Sequence, residues 1–452
     1  MNKLWTVKLI LHLQSILFSS FLLTSHVLGA ELVGRAILSA DTFAPGSTSG
    51  QFKQTNRTVP FIQAQPVQGF SAVISGPKPG TYLVISDNGF GAKSNSYDYL
   101  LRIYGVEPDF VTGTVFPVDV QTGERLSSFN HRSFVELNDR HRRLQWPIVG
   151  DGHFYPNSQI PVNKNMRANR LLTGGDFDIE SFQRISDGSY WIGDEFGPFL
   201  LNFGANGELL TVPIALPNFL NFGKLNFVKS PEHPTLENLS NRTSRVAAAN
   251  LGSSRGFEGM AINASGSKLY VMLEGALKDD PQKKRLLIHE FDLDRKNYTG
   301  QVFSYKLENQ DYAIGELTAI NDREFLVIER DHRQGYPLNQ EFRTPAKFKR
   351  IYKIDISRID KNGFVAKELL VDLLNISDPK CISGNGKKNC QFTFPFVTIE
   401  SVLPIDAQTL LVINDNNYAD SMGRKPKRID NTEFITIRIS KPLLLETPGK
   451  SQ

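Results

Sequence analysis

The sequence predicts an all-β fold: a β-propeller of six blades, with seven left open, carrying long loop insertions. Three observations lead there. A hairpin-like pattern recurs five times at irregular intervals. Its strands are short runs of β-branched and aromatic residues. Thirty-five Gly and 24 Pro in 452 residues suit many turns, and no heptad repeat is sustained.

The five copies come in order. They are "GFSAVISGPKPGTYLVISDNG" from Gly69, "DIESFQRISDGSYWIGDEFG" from Asp178, "GFEGMAINASGSKLYVMLEG" from Gly256, "GELTAINDREFLVIERD" from Gly315 and "TIESVLPIDAQTLLVINDNN" from Thr398. Each has a short run, a polar turn, an apolar run and a polar or acidic tip. The first run bears Glu180, Glu258, Glu316 and Glu400 at matching places, with Ser71 in the first copy. The second run ends at Asp87, Asp194 and Glu195, Glu274, Glu329 and Asp415.

From first acid to last the spacing is 14, 16, 13 and 15 residues in the copies that hold Glu. That fits two strands of about five residues and a turn. A hairpin returns to the end where it began, so both acids belong to one rim. In a sandwich such tips would scatter. In a propeller the innermost strands line a central channel, and one Glu per blade makes a ring. Outer strands are expected at 100–106, 199–204, 286–293, 350–356 and 434–440, and insertions at 118–173 and 205–254.

The first 30 residues differ from the rest. Lys3 and Lys8 precede an apolar stretch that ends in small residues at Gly29 and Ala30. This reads as a secretory signal peptide, with an uncleaved anchor as the alternative. Residues 31–446 then form one propeller domain. No later stretch is apolar and long enough to span a bilayer. Removing residues 1–30 takes away two lysines and no acid, so the formal net charge falls from +4 to +2. A nearly neutral chain gives no reason to expect a nucleic-acid partner. Cys381 and Cys390 are the only cysteines, and in an exported chain they read as a disulfide.

Carboxylates held together repel one another, and burial adds to the cost. A ring of Glu180, Glu258, Glu316 and Glu400, with Asp87 and Asp415, therefore calls for a cation. Ca²⁺ suits it, since it takes six to eight oxygen ligands in flexible geometry. Asn88, Asn414 and Asn416 could add neutral oxygens. The alternative is that Arg170, Arg255 and Arg330 neutralise the acids as salt bridges. Asp194, Glu195, Arg255, Arg330 and His332 are the candidate catalytic residues at the rim, with Lys347 a further candidate cation. The sequence "GSSRG" places Ser254 in a G-x-S-x-G pattern, but before a strand rather than a helix, which argues against a nucleophile elbow.

The stretches "GGDFDIESFQRISDGSYWIGDEFGPFLLNFGANGELL", "RGFEGMAINASGSKLYVMLEGAL" and "IGELTAINDREFLVIERD", with "SDNG" and "VINDNN", resemble the phytase-like family, described as having esterase-like activity of phytase. The likeness extends over most of residues 65–440. It implies a β-propeller, export, and hydrolysis of an ester or phosphoester. It singles out no nucleophile. The expected protein is thus an exported, monomeric hydrolase that uses a divalent cation and a small-molecule ester or phosphoester. The other reading is a non-catalytic, metal-stabilised binding propeller.

Overall fold

A computed structural model describes residues 29–446 apart from 56, 58 and 384–389. The expected signal peptide lies outside the described residues except for Gly29 and Ala30.

The runs expected to be strands are strands, and their burial shows why. Tyr82–Ile85, Tyr190–Asp194 and Glu324–Arg330 are buried at every position. A strand covered on both faces must be apolar along its whole length, whereas a strand with one wet face alternates. All five hairpins form. Their strands are Ala72–Ser75 with Tyr82–Ile85, Ile179–Arg184 with Tyr190–Asp194, Phe257–Ile262 with Lys268–Leu273, Ala313–Ala319 with Glu324–Arg330, and Ser401–Asp406 with Thr409–Ile413.

Each hairpin continues outward through an antiparallel third strand. These are Arg102–Asp109, Phe199–Phe203, Arg285–Asp292, Lys349–Ile359 and Thr432–Arg438, all overlapping the expected positions. The first strands of the five hairpins pack in sequence, and the last returns to the first, so the order closes into a propeller-like ring. The N-terminal strand Ala30–Leu38 pairs antiparallel with Thr432–Arg438 and so completes the fifth sheet. The same strand pairs parallel with Thr114 at Ile37, so the first and fifth hairpin-led sheets join into one 11-stranded sheet, while the second, third and fourth are four-stranded.

Apolar side chains fill the spaces between neighbouring sheets. Between the fourth and fifth sheets, Leu326 and Ile328 share a cluster with Val402, Val412 and Ile435. Between the third and fourth, Met272 and Ile288 meet Leu317 and Val327. The first strands come very close. A Cβ on Gly256 would lie 2.5 Å from the Cα of Glu195, in the preceding sheet. Only glycine allows that approach. Cys381 and Cys390 are disulfide-bonded, with Cα atoms 5.4 Å apart.

Candidate functional site

The ring glutamates are aimed by irregularities in the hairpins. Ladder pairing skips Glu180 and Glu258, so each is the extra residue of a β-bulge. In the fourth hairpin the skipped residue is Gly315, next to Glu316. A bulge locally re-aims a side chain, which is why bulges cluster at functional rims. Glu400 precedes its strand and donates its N–H to Ile413 O at 3.3 Å. Ser71 does the same to Ile85 O at 3.0 Å, so it holds the matching place in the first hairpin. All four glutamates are buried. Their carboxylates feel one another: Glu180 repels Glu258 and Glu400, and Glu400 repels Glu316.

The acids form two groups. Asp87, Asp178 and Glu180 each bring one carboxylate oxygen within 4.8 Å of the others. Glu195, Glu258 and Glu274 do likewise. Two members of the second group, Glu258 and Glu274, are paired with arginine. Arg330 Nη2 lies 3.8 Å from Glu258, 3.4 Å from Glu274 and 3.0 Å from Glu400, and Arg255 Nη1 lies 2.7 Å from Glu274. Among the described residues, Asp87, Asp178 and Glu180 have no ion-pair partner at all. The salt-bridge alternative thus holds for Glu258, Glu274 and Glu400, while Asp87, Asp178 and Glu180 have no such counter-charge among the described residues.

The electrostatics follow. Burial, then neighbouring acids, push Asp87, Glu180, Glu195 and Glu258 well above the usual carboxylate range. Burial also raises Glu316, against backbone N–H donors that favour its charged form. Glu400 rises to about 8, with burial outweighing Arg330, and Asp415 to about 6. Oε1 of Glu195 and Oε1 of Glu258 are buried without a hydrogen-bond partner. Orphaned buried oxygens are costly. Each is better served by a proton or a cation. The donor atoms in both groups are hard carboxylate oxygens, which suits Ca²⁺. These buried clusters could hold a metal ion.

Several expected roles change. Asp194 is fully buried, not at an outer rim. Its two oxygens accept the N–H groups of Asp178 (2.9 Å) and Gly197 (2.7 Å), bracing the hairpin tip. Glu195 is also buried, within the second acidic group. Arg330 is only 5% exposed at its side chain and is committed to three glutamates, so a substrate cannot engage it freely. Arg255 is 34% exposed and reaches solvent. His332 is exposed beside it. Partial desolvation, then Arg330 and Arg255, hold its pKa below the usual value. Arg170 pairs with Asp139 and Asp151 instead of the ring. Lys347 is exposed, and only its backbone N–H engages Asp331.

The asparagines expected as neutral ligands are spent elsewhere. Asn88 Oδ1 accepts from Gly91 N, Asn414 Oδ1 from Glu433 N and Asn416 Oδ1 from Gly69 N. Thr398 Oγ1 and the N–H of Asn417 hold Asp415, while Asp87 accepts from Gly89 N and Gln68. Glu329 turns away to Tyr305 and Lys367, so at the fourth hairpin's tip it is Arg330 that joins Glu316 in the ring. Sequence reasoning missed Asp178 and Glu274 as site members. Asp178 stands two residues before Glu180, and that nearness in sequence was the available signal.

Two cavities open beside the ring. One, of about 590 Å³, contains Arg255, Glu274, Tyr312 and His332. The other, of about 740 Å³, contains Trp146, Phe154, Phe196 and Ser254. Ser254 has a left-handed backbone, φ 41°, and donates its hydroxyl to Asp178 Oδ2 at 3.0 Å.

Comparison with known proteins adds the following. An uncharacterized secreted protein of Arthroderma benhamiae is 26% identical over 180 residues, which span 35% of this chain and 35% of that protein. Among solved structures, a calcium-binding protein, regucalcin, of Agrobacterium tumefaciens has 11% identity and a TM-score of 0.35, covering 92% of this chain and 97% of that one. A luciferin-regenerating enzyme has 11% identity and a TM-score of 0.35, covering 93% and 99%. No role is taken from such distant likenesses. The family model described as esterase-like activity of phytase matches residues 65–418, and with most of its length so matched this chain belongs to the phytase-like family.

Proposed function

We propose that the protein is an exported hydrolase of small-molecule esters or phosphoesters, dependent on a divalent cation, with Ca²⁺ the best fit. The observation behind this is the uneven compensation of the ring. Arg330 and Arg255 pair with Glu258, Glu274 and Glu400, while Asp87, Asp178 and Glu180 have no cationic partner among the described residues. Those three would hold the cation. Bound there, it would polarise an ester or phosphoryl oxygen. Arg255 and His332 line the adjoining cavity, where Arg255 would hold an anionic oxygen and His332 would exchange a proton. Residues 31–446 would act as one monomeric domain after removal of 1–30. Export is supported by the disulfide and by the secreted relative.

A second reading has its own support. The ring is almost wholly buried, which favours a metal that stiffens a binding propeller without catalysis. Hydrolysis of 4-nitrophenyl butyrate and 4-nitrophenyl phosphate, with Ca²⁺ or chelator, separates the two. Catalysis predicts cleavage of one substrate that chelator and Asp178→Asn both abolish. Tight Ca²⁺ binding with no cleavage of either leaves the binding propeller.

A further inference from the structure

The run "RKPKR", Arg424 to Arg428, puts four cations into five residues, as many as the formal net charge of the whole chain, +4. Such runs are the footprint of polyanion binding. This one lies in the loop between Thr409–Ile413 and Thr432–Arg438, in the fifth hairpin-led sheet. The loop is braced from within. Asp430 is buried, and its two oxygens accept the N–H groups of Gly423 at 2.5 Å and Arg424 at 2.8 Å. Arg428 N–H donates to Lys425 O at 3.2 Å, and Asn416 Nδ2 donates to Asp430 O at 2.9 Å. A loop held this way is formed before any ligand arrives, which lowers the cost of binding. Lys425, Lys427 and Arg428 are exposed, with no ion-pair partner among the described residues.

A cavity of about 850 Å³ opens beside the loop. Arg35, Arg424, Lys425 and Arg428 line it, and Glu433 is the one acid in its wall. Arg35 and Arg424 each bond both oxygens of Glu433 through Nε and Nη2, at 2.7 to 2.9 Å. Two guanidinium charges on one carboxylate leave the wall positive. Burial works against the charge of Glu433, but Arg424 and Arg35 outweigh it and hold its pKa below the usual carboxylate value. The cations come from the N-terminal strand and from the loop, so a ligand that meets them all carries several anionic groups. Tyr336, Asn339 and Asn431 also line the cavity. The Tyr336 hydroxyl and both amide Nδ2 groups have no hydrogen-bond partner among the described residues. Groups of this kind suit the hydroxyls of a sugar ring. A single-stranded nucleic acid would need open aromatic faces for its bases. Phe392 offers none: it is buried, with the Arg424 guanidinium 5.0 Å from its ring centroid.

We infer that this loop and cavity bind an anionic polysaccharide, with its carboxylate or sulfate groups at Lys425, Lys427 and Arg428 and the hydroxyls of a sugar ring in the cavity. Such binding is independent of hydrolysis at the acid ring, and none of these residues belongs to the ring.

The probes are polygalacturonate, dextran sulfate, uncharged dextran and single-stranded DNA, each fixed to a sensor surface over which the full exported chain is passed. Wild type should bind one or both anionic polysaccharides and not dextran, and added salt should weaken the binding by screening the exposed charges. Lys425→Ala with Lys427→Ala and Arg428→Ala should weaken it at least tenfold, with Tm and Ca²⁺ binding unchanged. Gln391→Glu, which adds an acid at an exposed position of the wall and removes no cation, should weaken it several-fold. Arg140→Ala with Arg142→Ala and Arg143→Ala, in another exposed basic run, should bind as wild type does. Binding of polygalacturonate alone identifies the carboxylate as the group recognised, and binding of dextran sulfate alone the sulfate; either supports the site. No binding of either by wild type, equal losses in the two triple variants, or no loss with Gln391→Glu overturns the inference. So does DNA bound more tightly than both polysaccharides, or dextran bound as tightly as dextran sulfate.

Discussion

Arg330 Nη2 lies 3.0 Å from Glu400 Oε1, so the fourth sheet's hairpin tip supplies the counter-charge for the fifth sheet's ring glutamate. The same nitrogen is within 3.8 Å of Glu258, in the third sheet. One buried guanidinium thereby bridges three sheets at the axis. Its own charge is held firmly by these acids, which overcome the effect of burial.

Replacing it should expose the rest of the design. Arg330→Met removes the one cation among the described residues that pairs with both Glu258 and Glu400. Breaking a buried pair of this kind costs about 3–5 kcal/mol. The metal-free variant should lose that much stability in denaturant unfolding. Calorimetry should then show a second Ca²⁺ equivalent, bound among Glu195, Glu258 and Glu274. An unchanged stoichiometry would show that Arg330 does not stand in for a cation.

Glu180→Gln and Glu258→Gln should behave differently, because they lie in different halves of the ring. Glu180 has no cation beside it, so its loss should weaken Ca²⁺ binding at least tenfold and raise the chelated protein's midpoint by relieving repulsion. Glu258 faces Arg330, so its loss should leave Ca²⁺ affinity within a few-fold. Equal effects of the two substitutions on Ca²⁺ affinity would contradict the division of the ring.

Proton and metal should compete for the same oxygens. Asp87 and Glu180, in the uncompensated group, are raised well above the usual carboxylate range, chiefly by burial. A carboxyl raised in the folded state contributes stability that is fully present below its unfolded pKa, about 4, and lost as the pH climbs through its raised value. The chelated protein therefore loses this contribution across that window, whereas Ca²⁺ takes the place of the protons. The gain in Tm on adding Ca²⁺ should grow from pH 5.5 to pH 8. Buried histidines such as His289, held down to about 3, affect both forms alike and cancel in the difference. A gain that stays flat or shrinks with pH would rule out a cation in the ring.

The hairpins were legible because their signal is local. A run such as "TLLVIN" states its own burial, and a Glu such as Glu400 recurs 13 to 16 residues before the tip acid. The closing strand was not legible, because Ala30–Leu38 pairs with a segment some 400 residues away, and no turn links the two. The direction of each tip acid was also hidden. Whether Glu329 or Arg330 enters the ring turns on where the ladder is skipped, at Gly315, and a one-residue slip reverses the facing of a side chain. The counter-charge at Arg330 was weighed from the sequence as a salt bridge. That it serves only half of the acids needed the distances.

The close approach of the sheets gives a last test. Gly256 precedes the third hairpin, and a Cβ there would lie 2.5 Å from Glu195 Cα and 2.7 Å from Glu195 O. Those are backbone atoms of the second sheet's tip, which cannot swing aside like a side chain. Gly256→Ala must therefore push the second and third sheets apart at the rim. Overpacking of this kind costs about 1–3 kcal/mol. The displacement falls on Glu195, whose N–H donates to Asp178 O at 2.8 Å. Asp178 belongs to the uncompensated group, so the strain passes directly into the proposed cation site. Gly256→Ala should lower the unfolding midpoint and also weaken Ca²⁺ binding, although it changes no charge. Gly266→Ala is the control: it lies in a turn of the same hairpin at φ 71°, with nothing within 4 Å of the added Cβ. It should cost stability through its left-handed backbone but leave Ca²⁺ affinity alone. If both variants bind Ca²⁺ as wild type does, the sheet contact at Glu195 does not position the acids.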